Sequence, residues 1–292
     1  MGEGLIMTLD EKINQLEKRI TELSQPPVQH EDIELTISTE NCETHGPFEC
    51  RTRHFLNSVV KIPPRPSCCP ECLKEELGRL QAERISINEA ARKRNIERLL
   101  DGLSIPARFE SCSLENYEPV NEEAKRTLKV CQAYASRWPE RLQKGGGLVM
   151  CGKPGTGKNH LALAIARHAI TEHQSSAVFT TALKIAREYK STWSKGSSRT
   201  EDEVIRYFTK PDLLIIDEVG VQFGSDAEKL IMFEIINTRY ERMKPTILIS
   251  NQTREELAAF IGERVLDRMS DGGGCTLSFT WDSYRSKGAA WP

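Results

Sequence analysis

The stretch Leu148-Val-Met-Cys-Gly-Lys-Pro-Gly-Thr-Gly-Lys-Asn159 decides the fold of this 292-residue chain. Gly152, Lys153, Pro154, Gly155, Thr156, Gly157, Lys158 and Asn159 have the Gly-x-x-x-x-Gly-Lys spacing of a phosphate-binding P-loop. The apolar run Leu148–Cys151 reads as a short buried strand. Leu161, Ala164, Ile165 and Ala169 recur at helical spacing after the loop. In such a strand–loop–helix unit the glycines let backbone N–H groups turn onto phosphate oxygens, and the helix points its positive end at the same place. Lys158 is placed to neutralise the β- and γ-phosphates of a bound nucleotide. The Mg²⁺-binding Ser/Thr of the general pattern is replaced by Asn159, whose amide oxygen can ligate Mg²⁺ directly or through water.

A second apolar strand, Asp212-Leu-Leu-Ile-Ile-Asp217-Glu218, ends in two carboxylates. A continuous apolar run belongs to a strand buried on both faces, inside a parallel sheet. Asp217 sits where a Mg²⁺-holding carboxylate is needed, and Glu218 where a group must orient or deprotonate an attacking water. A third strand, Thr246-Ile-Leu-Ile-Ser-Asn251, brings Asn251 toward the γ-phosphate or the water.

The length suggests two domains. The net charge of −2 gives no global attraction to nucleic acid, so DNA binding requires a local basic patch. No apolar run approaches the roughly 18 residues of a membrane span, and the opening residues lack a signal-peptide pattern. The expected location is the cytoplasm, with no membrane partner. There, nine cysteines argue for thiols and metal ligands rather than disulfides.

Two pairs of potential ligands stand out near the N-terminus. Cys42-Glu-Thr-His45 is C-x2-H, and Cys69-Pro-Glu-Cys72 is C-x2-C. Each spacing lets two side chains reach one tetrahedral Zn²⁺ from a tight turn, with Cys50 or Cys68 as possible replacements for one ligand. Phe48, Phe55, Leu56, Val59 and Val60 predict a small hairpin between the two turns. Leu9, Ile13, Leu16, Ile20 and Leu23 predict an amphipathic helix over residues 8–24. Residues 74–100 read as a charged helix, with Arg92, Lys93, Arg94 and Arg98 on a solvated face. The Gly102–Pro106 segment reads as a hinge.

From residue 104 onward, helices alternate with apolar strands near 147–151, 177–181, 212–217, 246–250 and 276–280. This predicts an α/β domain with a parallel sheet covered on both faces. Tyr117 and Phe109 have two open readings, a place near the nucleotide base or ordinary core. Lys184, Arg187, Tyr189, Lys190, Trp193, Lys195 and Arg199 interleave basic and aromatic residues. Such a pattern suits single-stranded DNA, which is held by a positive groove and stacked bases. It also suits an amphipathic helix with Trp193 in the core.

Residues 104–287 resemble AAA+ ATPases of the DnaC-type replicative helicase loader family, bacterial or phage. Ile105-Pro-Ala-Arg-Phe109, the P-loop with Asn after its Lys, Gly262-Glu-Arg-Val-Leu-Asp-Arg-Met269 and Trp281-Asp-Ser-Tyr-Arg285 carry the resemblance. It implies an AAA+ P-loop domain over 104–292, behind a zinc-bearing helicase-binding region over 1–103. It implies a DnaB-type replicative helicase and single-stranded DNA as partners, self-assembly through the AAA+ domain, and ATP hydrolysis as a loading and release switch. Arg268 would be the arginine finger acting in a neighbouring subunit, with Arg264 its competitor, and Arg285 the nucleotide sensor. Lys190, Trp193, Lys195 and Arg199 would contact DNA. Two other readings are an IstB-like transposition-helper ATPase and a zinc-bearing adapter that binds ATP without turnover.

Overall fold

The structure, a computed structural model, describes residues 7–28, 31–56, 63–220 and 226–284. The chain divides into two compact units, Met1–Arg92 and Lys93–Pro292.

The first unit opens with helix α1 (Leu9–Ser24). Thr8 and Glu11 form a reciprocal capping box at its start, satisfying two otherwise orphaned backbone donors. Ile13 and Leu16 are buried, in keeping with the apolar stripe. Strands β1 (Ile33–Cys42) and β2 (Gly46–Phe55) form an antiparallel hairpin, and β3 (Arg65–Pro66) pairs with β2. The hairpin therefore surrounds the Cys42–His45 turn instead of following it. The period-2 apolar series Ile33, Leu35, Ile37 builds the strand before the turn. Val59 and Val60 lie outside the described residues. Arg51 Nη1 donates to the carbonyls of Glu22 and Gln25, tying the end of α1 to the hairpin. Helix α2 (Pro70–Leu103) begins one residue after Cys69. Ser104, at φ 55°, follows its last residue.

The second unit holds α3 (Glu122–Ser136), α4 (Trp138–Lys144), β4 (Leu148–Gly152), α5 (Lys158–His173), β5 (Ala177–Thr181), α6 (Ala182–Ser191) and α7 (Glu201–Thr209). It continues with β6 (Leu213–Asp217), α8 (Asp226–Glu241), β7 (Thr246–Ile249), α9 (Arg254–Ile261), α10 (Glu263–Ser270) and β8 (Cys275–Phe279). All pairings in its five-stranded sheet are parallel, in the order β5-β6-β7-β4-β8. The runs Leu148–Cys151, Leu213–Ile216 and Thr246–Ile249 are buried throughout, as central strands covered on both faces require. One face packs with α3, α4 and α5 around Trp138, Leu161 and Ile165, the other with α7 to α10 around Phe208, Ile235 and Leu266. This order places the carboxyl ends of β4, β7 and β6 side by side, where an open α/β sheet binds its ligands.

Arg239 on α8 is fully buried. It donates to Thr246 Oγ1 and to the carbonyls of Phe208, Thr209, Pro211, Asp212 and Pro245. Burial pulls its guanidinium down to about 9, so it stays protonated near neutral pH. It stitches the entry ends of β6 and β7 together.

Candidate functional site

Gly157, at φ 93°, leads into α5 in a left-handed conformation, and a side chain there would strike the Tyr117 ring at 2.5 Å. Glycine at this position serves both the turn and the close approach of the ring. The Tyr117 hydroxyl and the Trp281 indole N–H both donate to the Thr156 carbonyl, at 3.1 and 3.2 Å. Thr156 Oγ1 closes the loop by donating to the Lys153 carbonyl at 2.8 Å. The loop is thus held from two sides by residues far apart in the chain.

The loop opens onto a cleft of about 250 Å³. Phe109, Tyr117, the loop, Asp217, Glu218, Asn251, Trp281 and Tyr284 are among its walls. Lys158 is buried, and its Nζ donates to the carbonyls of Gly152 and Lys153 at 2.8 and 2.7 Å. Asn159 Nδ2 donates to Asp217 Oδ2 at 2.6 Å. The Glu218 backbone N–H donates to the other carboxylate oxygen at 2.7 Å. Burial raises the Asp217 carboxyl above its ordinary range, and the Asn159 amide works against that shift. Glu218 has φ 57°, a left-handed geometry that costs a non-glycine residue of order 1–3 kcal/mol. The Val219 N–H holds the turn by donating to Ile249 O at 3.0 Å. Asn159, Asp217 and Glu218 supply oxygens suited to Mg²⁺ and to a reacting water.

Tyr117 and Phe109 reconcile their two readings, since both pack on the core and both line the cleft. His160, beside Asn159, stacks edge-on to Tyr117 at 5.4 Å and contacts the Ser113 carbonyl. Its burial lowers its pKa, favouring a neutral ring. The Trp281–Tyr284 segment folds onto the P-loop. Tyr284 N–H donates to the Gly155 carbonyl at 2.9 Å, and Lys153 pairs with Asp282 at 3.0 Å. Tyr284 OH reaches Glu118 at 2.7 Å. The sequence signal for this wall is the Trp-Asp-Ser-Tyr run, whose contact with the loop no local pattern reveals. Arg285 lies outside the described residues.

Arg268 and Arg264 sit on α10 and do not line the described cleft. Arg264 is exposed. Arg268 donates to Asn237 Oδ1 and lies over the rings of Phe233 and Tyr240.

The basic and aromatic residues of 184–199 fall on α6 and the turn before α7. Trp193 is 59% exposed, so the core-packing reading does not hold. Its indole N–H donates to Glu201 at 2.6 Å, and its ring meets Tyr189 edge-on at 6.1 Å. Lys190 pairs with Glu228 at 2.7 Å and Arg199 with Glu188 at 3.7 Å, while Lys195 is exposed.

In the first unit Cys42, His45, Cys69 and Cys72 converge, with ligand atoms all within 4.8 Å of one another. His45 Nδ1 lies 3.7 Å from Cys42 Sγ, 3.8 Å from Cys69 Sγ and 3.3 Å from Cys72 Sγ. A tetrahedral Zn²⁺ with bonds of about 2.0–2.3 Å needs edges of about 3.5–3.8 Å, so the donor set fits zinc in type, number and spacing. Backbone N–H groups of His45 and Thr44 draw the Cys42 thiol down to about 6, while the contact with Cys42 pushes the Cys72 thiol up to about 12, so the pair shares its proton unequally. Cys50 is buried with its thiol toward the Ser67 carbonyl, and exposed Cys68 accepts from Arg19. Neither joins the cluster. Sequence reading missed Glu75, whose carboxylate meets His45 Nε2 at 3.2 Å and fixes the ring with Nδ1 toward the thiols.

The family model for IstB-like ATP binding proteins matches residues 83–289. The replicative helicase loader DnaC of Buchnera aphidicola (subsp. Acyrthosiphon pisum, strain APS) is 36% identical over 211 residues, covering 72% of this chain and 83% of that protein. DnaC of Escherichia coli K12 is 34% identical over 218 residues, covering 73% and 87%. A crystal structure of the DnaC helicase loader superposes with TM-score 0.53 at 23% identity, covering 60% of this chain and all (100%) of that one. The replication initiator DnaA bound to AMPPCP and single-stranded DNA gives TM-score 0.51 at 24% identity, covering 61% and 52%. These two likenesses show the AAA+ fold. Among the described residues no helix is long and apolar enough to cross a membrane. With the fold, the P-loop cleft and relatives spanning most of the chain in agreement, the chain belongs to the IstB-like ATP-binding family, beside the DnaC replicative helicase loaders.

Proposed function

We propose that this chain loads a replicative helicase onto single-stranded DNA, with ATP as a switch. The supporting observation is the cleft in which Lys158, Asn159, Asp217, Glu218 and Asn251 meet, in a chain whose relatives carry the name helicase loader. Lys158 and the loop N–H groups bind the phosphates of ATP. Asn159 and Asp217 hold Mg²⁺, Glu218 orients or deprotonates the attacking water, and Asn251 stands at the γ-phosphate end. Arg268 reaches the ATP of a neighbouring copy, where an always-charged, forked guanidinium stabilises developing phosphate charge. Arg285 serves as the sensor toward nucleotide in its own chain.

The region over 1–103 grips the DnaB-type helicase, and structural Zn²⁺ on Cys42, His45, Cys69 and Cys72 supplies folding energy to a small unit. The domain over 104–292 binds single-stranded DNA through Lys190, Trp193, Lys195 and Arg199. Hydrolysis then releases the helicase. The exposure of Trp193 supports this role, because an exposed indole can offer a base its face.

The test is co-purification of the tagged chain with the replicative helicase of its source cell, with and without ATP. Recovery of the helicase, lost when residues 1–103 are deleted, is the expected result. Recovery of a transposase instead would establish the transposition-helper reading. ATP binding without turnover, equal to a Glu218→Gln variant in the presence of single-stranded DNA, would establish the adapter.

A further inference from the structure

We infer that Phe233, Asn237 and Tyr240 are positioning residues for Arg268, forming a clamp on α8 that holds its guanidinium ready for a neighbouring copy's nucleotide. This inference rests on the proposed role of Arg268 as a finger acting in trans.

The three residues are spaced four and three apart on one helix, so they form a single stripe. Arg268 crosses that stripe from α10. Its guanidinium carbon lies 5.8 Å from the centre of the Phe233 ring and 5.3 Å from that of Tyr240. Between the rings, Nη1 donates to Asn237 Oδ1. The Tyr240 hydroxyl donates to Asp271 Oδ2 at 3.0 Å, so the second ring is itself anchored just beyond α10.

No carboxylate among the described residues forms an ion pair with Arg268, although Asp267 and Glu263 share its helix. Ring faces and one amide oxygen orient a guanidinium without neutralising it. A carboxylate would compete with phosphate for the same fork. The arrangement therefore fixes direction while leaving full positive charge to meet an anion. Phe233 and Tyr240 are 36% and 37% exposed, so the clamp stands at the surface, where a second copy can approach. A long, free arginine would otherwise lose its rotamer entropy at the moment of reaction, and a misplaced one would miss the transferring phosphoryl group.

The test separates the clamp from the finger itself. Full-length Arg268→Ala has an intact cleft and no finger. Full-length Glu218→Gln has a disabled cleft and an intact finger. They are mixed with ATP, Mg²⁺ and oligo(dT), under conditions in which the unmodified chain hydrolyses ATP, and phosphate release is measured. Restored hydrolysis is the expected result, and its absence overturns the trans finger and the clamp with it. Given restoration, the Glu218→Gln donor is then also given Tyr240→Ala, Asn237→Ala or Tyr240→Phe. The first two should restore on the order of 10- to 100-fold less hydrolysis, as expected of a misaimed catalytic group. Tyr240→Phe, which keeps the ring, should restore most of it. Because turnover occurs only in the Arg268→Ala partner, a damaged cleft in the donor cannot imitate this result. Tyr240→Ala and Asn237→Ala donors that restore hydrolysis as well as their parent overturn the clamp while leaving the finger standing. Melting temperatures near that of the parent show that the donors are folded. If Tyr240→Ala melts early, Asn237→Ala decides alone.

Discussion

The Asn159 amide of the P-loop donates to the Asp217 carboxylate at 2.6 Å, joining the ends of β4 and β6 across the intervening β7. This bond orients the half-buried carboxylate at the place where Mg²⁺ is proposed.

Removing the amide should have a directional effect. Burial raises the Asp217 carboxyl and the Asn159 donation lowers it, so Asn159→Ala should raise it further. Mg²⁺ needs the ionised form, so Mg²⁺-dependent ATP binding is present above that pKa and lost as pH falls through it. The variant should lose this binding at a higher pH than the parent. It should bind MgATP about 10- to 100-fold more weakly near neutral pH, as expected of a lost hydrogen bond to a charged group. Titrations with a fluorescent ATP analogue across pH, with Mg²⁺ and with EDTA, provide the check.

Zinc content is the next measurement. Elemental analysis should find one zinc per chain, and Cys69→Ser/Cys72→Ser should abolish it. Glu75→Ala should retain the four ligands yet bind zinc about 10- to 100-fold more weakly in a chelator competition. An unchanged zinc affinity would mean that the Glu75–His45 contact does not orient the ring.

Trp193→Ala should leave the melting temperature near that of the parent, because the indole is 59% exposed. Single-stranded DNA binding should weaken by about 1–3 kcal/mol, the size of a lost base–aromatic stack. Fluorescence anisotropy with labelled oligonucleotides of different sequence should show the loss in each. Unchanged affinity would remove the stacking role.

Arg239→Met should destabilise the second unit by about 3–5 kcal/mol, because several buried carbonyl oxygens lose their donor together. Arg239→Lys should also be costly, since an ammonium cannot fork to both strand ends. Denaturant unfolding measures both. A change below about 1 kcal/mol would show that water replaces the guanidinium without penalty.

Much of the nucleotide unit was legible because its signals are local. The apolar runs of β4, β6 and β7 mark strands covered on both faces, and the glycine spacing marks the turn. The role of Trp281 and Tyr284 against Thr156 and Gly155 was not legible, because those contacts join residues more than a hundred positions apart. In the first unit the alternation of Ile33, Leu35 and Ile37 was present in the sequence. The apolar residues after the Cys42–His45 turn point instead to a hairpin that follows it, whereas β1 precedes the turn and β2 follows it. Trp193 shows the opposite limit. Basic and aromatic interleaving is the same whether an indole faces the core or water, and only its surroundings separate the two.

By itself the sequence determined what depends on neighbours within a few residues: the P-loop turn, the two C-x2 ligand pairs, the capped helices and the buried strands. Backbone sterics and short-range hydrogen bonding specify these wherever the segment sits. The tertiary structure alone decided which distant pieces meet. It brought the two ligand pairs into one cluster, set Glu75 behind His45, laid Trp281 on the loop and passed Arg268 over the α8 stripe. Sheet order and the packing of helices on its two faces set those meetings. They are the outcome of burying apolar surface across the whole chain, a collective quantity that no short window contains.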